Sequence, residues 1–148
     1  MKNLKIFDYD LDKFLDLSVD KRSDCIKEFN EKAIKELLEI EGIGLSKATK
    51  ILHTLHPEII PMIDNPLKVE YQEINKQWTE GDPKIFIDYY DNLKAGDNWQ
   101  NLNKIFKEVS ENKLGLTKVR IFGILWWSYL KAKKLKHQRN IRFSSIKW

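Results

Sequence analysis

Every sizeable apolar stripe in this chain repeats at the spacing of an α-helix, and none alternates at the spacing of a strand. Leu67, Tyr71, Ile74 and Trp78 fall at i, i+4, i+7 and i+11, on one helical face. Phe86, Tyr89, Tyr90 and Leu93 repeat the pattern. So do Leu102, Ile105, Phe106 and Val109, with Trp99 one turn earlier. Upstream, Ile26, Phe29, Ala33, Ile34, Leu37 and Leu38 make a further face. A short helix is expected over 10–17, with Asp10 as its cap. The stretch 114–135 reads as the longest and most apolar helix, with at least one of Trp126 and Trp127 in the core and base stacking as the alternative role. Breakers separate these runs: Gly42 and Gly44, then Pro57, Pro61 and Pro66, then Gly81-Asp82-Pro83, Ala95-Gly96-Asp97 and Leu114-Gly115. Pro83 suits a first helical position. Only 59–63 is expected to be extended, because Pro61 biases its predecessor away from helix. The fold class expected is all-α, a compact multi-helix domain.

Composition narrows the functional classes. At 148 residues, the chain suffices for one domain with a core. Its 42% hydrophobic and 11% aromatic content is too high for disorder. No run approaches the roughly 18 apolar residues of a membrane span. A single cysteine, Cys25, excludes an internal disulfide and a cysteine-built zinc site. His53 and His56 stand three apart, with Glu58 as the only adjacent third ligand, so no metal is expected. The start, Met1-Lys2-Asn3-Leu4-Lys5, leads into acidic sequence without an apolar leader, and a cytoplasmic protein is expected.

Charge is unevenly spread. Segment 131–148 holds Lys131, Lys133, Lys134, Lys136, Arg139, Arg142 and Lys147 and no acid. Taking those 7 from the 26 basic residues leaves 19 against 22 acids, so 1–130 carries a net −3. The expected organisation is a helical domain over 1–130 and a basic arm over 131–148. A local excess of this kind suits a polyanion, with Lys134 and Arg139 as candidate DNA contacts. Alternatively Ile141, Phe143, Ile146 and Trp148 pack the arm back onto the body.

The most specific signal lies at 37–52, Leu-Leu-Glu-Ile-Glu-Gly-Ile-Gly-Leu-Ser-Lys-Ala-Thr-Lys-Ile-Leu. One amphipathic helix ends near Ile40 and another starts near Ser46. So tight a turn needs positive φ or close backbone approach at Gly42 and Gly44. Ile43 points inward, Ala48 sits where the helices cross, and Ile51 and Leu52 are expected in the core. The second helix presents free N–H groups from Gly44 to Lys47, an anion site helped by the helix dipole. Lys47 and Lys50 add charge. An ordinary helix–helix turn explains the glycines equally. The pattern resembles the helix-hairpin-helix motif, placed here at about 31–55. That resemblance implies a grip on one DNA strand, through Gly42, Gly44, Ser46, Lys47 and Lys50.

Asp64 follows Ser46 by 18 residues, behind an apolar stretch and before a helix. Taken alone, an Asp shortly before Pro66 is a helix cap. Together with the hairpin it resembles the helix-hairpin-helix DNA glycosylase superfamily, over roughly residues 30–75. The resemblance implies that Asp64 is catalytic, acting on a modified base flipped out of duplex DNA. Cleaving an N-glycosidic bond builds oxocarbenium character on the sugar, which a carboxylate stabilises while orienting water. Members that also cut the backbone carry a Lys where Ser46 stands, so monofunctional hydrolysis without a cofactor is implied. Only about 30 residues precede the hairpin's first helix, so one of the family's two subdomains is expected to be reduced or absent. The alternatives are a non-catalytic helix-hairpin-helix DNA-binding module and a helical protein-interaction domain.

Overall fold

Capping side chains set where the helices begin. The Asp10 carboxylate accepts the Lys13 N–H at 2.9 Å and opens α1 (Leu11–Asp16). Ser18 does the same for α2 (Val19–Phe29) through the Lys21 N–H. A computed structural model describes residues 3–144, with side chains as far as 136. At Phe29 the chain stays helical but widens into a π turn, Asn30–Ile34, and resumes as α3 (Lys35–Leu38). Then come α4 (Leu45–Leu55), α5 (Asn65–Ile74), α6 (Lys84–Lys94), α7 (Asn98–Glu111) and α8 (Lys118–Ser144). A 3-10 turn, Lys5–Asp8, precedes α1. The all-α expectation holds, with no strand among the described residues. No helix among them is long and apolar enough to cross a membrane.

The core is built around α6. Its stripe of Ile85, Phe86, Tyr89, Tyr90 and Leu93 is fully buried. Phe14 of α1 meets the Tyr90 ring edge-on at 4.9 Å, and Phe29 of α2 meets Phe86 at 5.6 Å. On the other side, Tyr89 meets Phe122 at 5.1 Å and Trp126 at 5.5 Å, both on α8. Their T-shaped geometry adds quadrupole attraction to burial. Buried hydroxyls need acceptors, and backbone carbonyls supply them: Tyr90 donates to Ile59 O and Tyr89 to Val119 O. α8 lies chiefly along α5 and also touches α6 and α7.

Three local expectations need correction. Trp78 is buried but lies outside α5, which stops at Ile74 because Asn75 leaves helical geometry (φ −111°, ψ 73°). The following turn returns the indole to the core, edge-on to Tyr71, with its N–H donating to Asp82 O at 3.1 Å. Pro83 is the cap residue of α6, and Lys84 is its first helical residue. The long helix begins at Lys118, after the positive-φ residues Lys113 and Gly115, and runs unbroken past residue 131.

Candidate nucleic-acid interface

The α3–α4 turn is tight. The Ile43 N–H donates to Ile40 O at 3.0 Å, and Gly42 takes φ +80°. That left-handed value is where a Cβ would clash with its own backbone, so Gly42 is needed for its conformation. Gly44 is different: at φ −93°, ψ 179° it is an extended cap that other residues also adopt. A Cβ there would lie 3.5 Å from the Glu80 carboxylate, so its neighbourhood is close rather than strained.

α4 turns Leu45, Ala48, Thr49 and Leu52 inward, all fully buried. Ser46 is buried as well, at 9% exposure. Lys47 and Lys50 lie on the outer face. Ile51, expected in the core, is exposed at 42%. The buried stripe explains why, since Ile51 sits about 110° round the helix from its centre. The Lys47 ammonium reaches back to donate to Gly42 O at 2.8 Å, bracing the turn while staying exposed.

The first N–H of α4 is already in use. Leu45 N donates to Glu80 Oε2 at 3.3 Å, and the other Glu80 oxygen pairs with Lys68 of α5. The expected row of free N–H groups is therefore shortened by the protein's own carboxylate. The same turn is anchored by Asn30, whose side-chain amide donates to Gly81 O at 3.0 Å. The Lys68 ammonium, opposed by partial burial and aided by the Leu45 N–H, holds the Glu80 carboxyl below the usual carboxylate value. A depressed value stabilises the fold above the ordinary value of 4.5 and stops doing so as pH falls through the lowered one. Glu80→Gln is thus expected to cost about 0.5–1 kcal/mol at neutral pH, the worth of a partly exposed charge at a helix start. Urea midpoints of the two proteins should converge as pH falls through that lowered value; a gap that persists in acid contradicts the carboxylate's role.

Asp64 is delivered by a pinned segment. Thr49 donates to Leu45 O at 3.0 Å and accepts the Ile63 N–H at 3.0 Å. His53 Nδ1 lies 2.6 Å from Ile60 O, and Tyr90 holds Ile59 O. The expected stretch 59–63 is irregular, with Ile59, Ile60 and Ile63 buried. At its end Asp64 caps α5, accepting the Leu67 N–H on Oδ1 at 3.2 Å. Its Oδ2 lies 3.4 Å from Arg120 Nη1 of α8. The carboxylate keeps 30% of its surface open.

The site residues thus fall into separate places. Gly42, Gly44, Ser46, Lys47 and Lys50 share one end of α4, and Asp64 stands at the start of α5. Lys134 is half-buried on α8, 3.5 Å from Glu70 of α5. It is about 21 Å along the helix from Arg120, at 1.5 Å per residue. The Arg139 side chain lies outside the described residues. His56 stacks on Phe7, with centroids 3.8 Å apart. Sequence reasoning missed Arg120 and Glu80. Arg120 had a signal, as the only charge between Val119 and Leu130. Glu80 had none, being one acid in a polar turn.

Compared with known proteins, the chain matches no protein-family model, no curated protein and no solved structure.

Proposed function

We propose that this chain binds duplex DNA in the manner of helix-hairpin-helix DNA glycosylases and hydrolyses an N-glycosidic bond with Asp64. One observation supports this above the rest: the Thr49–Ile63 hydrogen bond couples the hairpin helix to the segment that ends in Asp64. A backbone grip by the hairpin would then fix where the carboxylate stands against the strand. The Ser46 and Lys47 N–H groups and the Lys47 and Lys50 ammoniums supply that grip. An arriving phosphate shares or displaces Glu80 at Leu45. In the reaction, the bond from C1′ to the base breaks and its electron pair leaves with the base. Water adds to C1′, Asp64 takes the proton that water loses, and the departing base gains a proton from solvent. The carboxylate's negative charge favours the cationic sugar meanwhile. No resident cofactor enters this scheme.

A second reading is a non-catalytic DNA-binding module. It is favoured by the engagement of both Asp64 oxygens, on Leu67 and Arg120. The experiment compares duplex DNA carrying a cationic abasic-site analogue with the same duplex unmodified, at several salt concentrations. Lys47→Glu/Lys50→Glu should weaken binding to both and flatten the log–log salt dependence by about 2. Unchanged affinity would remove both readings. A preference for the cationic site that Asp64→Asn abolishes supports the glycosylase, and equal binding to both duplexes supports the module.

A further inference from the structure

Between α6, α7 and α8 lies a hollow of about 360 Å³. That is within the range of small-molecule pockets, about 300–1,000 Å³. Its floor is apolar and held in place. Leu102, Phe122 and Trp126 are all buried, and both rings pack edge-on against Tyr89. Its polar lining is the amides of Asn92, Asn98 and Asn101 with the Tyr129 phenol, and no lining residue carries a charge. Two of those amides are oriented. Asn92 Nδ2 donates to Asp88 O at 2.7 Å, and Asn98 Nδ2 donates to Asn92 O at 2.6 Å. Their Oδ1 atoms have no donor among the described residues and remain as acceptors.

We infer that this hollow binds a neutral, planar nitrogen heterocycle bearing N–H donors. The buried aromatic floor gives a flat ring an apolar surface to rest on. The amide oxygens offer acceptors that reward an N–H group and leave a plain hydrocarbon without a partner. The lack of a cation gives a phosphate or carboxylate nothing to pair with. The site is separate from Asp64. At about 100° per residue, Phe122 and Trp126 lie roughly 200° and 240° round α8 from Arg120, which meets Asp64. The inference therefore does not rest on the DNA reading.

The test is a titration followed by ¹⁵N NMR of the side-chain amides of Asn98 and Asn101 and the indole N–H of Trp126. The probes are adenine, nicotinamide, benzene and adenosine 5′-monophosphate. At least one of the two neutral heterocycles should shift these signals saturably with Kd below about 1 mM. Asn98 is exposed, so Asn98→Leu leaves the core intact. It should weaken heterocycle binding roughly fivefold to tenfold, the worth of one hydrogen bond, and leave benzene binding unweakened. The monophosphate should bind no tighter than adenine. The inference is overturned if neither heterocycle saturates, if Asn98→Leu binds them as well as the parent, or if the phosphate tightens binding by more than about tenfold.

Discussion

Asp64→Asn is expected to slow base release by about a hundredfold to ten-thousandfold, the usual worth of a positioned acid–base group. Duplex affinity should hardly change, because the fold is spared. Asn is as good a helix cap as Asp, so the Leu67 N–H keeps its acceptor. The substitution weakens the 3.4 Å pairing with Arg120, between side chains 26% and 30% exposed. Pairs so open to water contribute about 0–1 kcal/mol. One negative charge leaves the start of α5, and little else changes. Single-turnover assays on duplexes carrying a panel of altered bases, with alkaline cleavage to reveal abasic sites, give the measurement. Equal release by the two proteins would sink the glycosylase mechanism.

Tyr89→Ala is expected to be the most destabilising single change, at about 3–5 kcal/mol. Its ring is wholly buried and packs on Tyr90 within α6 and on Phe122 and Trp126 of α8, so it ties the two helices together. The Val119 carbonyl would be left without its donor as well. Against a typical total of about 5–15 kcal/mol, that is a large share. The urea midpoint should drop with little change in slope. Tyr89→Phe keeps the packing and should cost only about 1–2 kcal/mol. Alkali probes the same residues. Burial, first among the causes, pushes the Tyr71, Tyr89 and Tyr90 hydroxyls above their ordinary value of 10.0. A raised value favours the fold below that pH, and stability should fall as pH rises beyond it, because the unfolded chain ionises first. For Tyr71 the Asp88 carboxylate, which accepts its hydroxyl at 2.6 Å, adds to the effect.

Local signals made most of the fold legible in the sequence. The stripes of α2, α6 and α7 and the Asp10 cap could be read directly, because period and capping depend on residues within one or two turns. So could Asp64 as the residue before a helix. Trp78 misled because spacing alone cannot say where a helix stops. The period continued through Asn75, but the backbone did not. Ile51 misled because two adjacent apolar residues leave a helix face ambiguous until its partner is known. The Glu80–Leu45 and Arg120–Asp64 contacts span 35 and 56 residues, and no local pattern encodes either. The departure from α geometry at Asn30–Ile34 was equally hidden, since Ala33 and Ile34 are buried in any helix that follows Ile26 and Phe29.

That wide turn makes the orientation of the lysines a matter of counting. Its ring closes from the Lys35 N–H to Asn30 O, five residues back instead of four, so α2 and α3 share an axis but not a phase. The turn holds one residue more than an α turn and absorbs it, so α3 faces much as it would in a plain α-helix one residue shorter. Straightening the turn with all its residues kept would instead carry Leu37 and Leu38 about 100° round the axis, off the core they pack against, and Lys47 and Lys50 with them. The amino acids of the α3–α4 turn could all remain, yet the turn would point elsewhere. Its bearing is therefore held by the wide turn upstream, which takes up a residue that an α-helix could not fit without turning the lysines away.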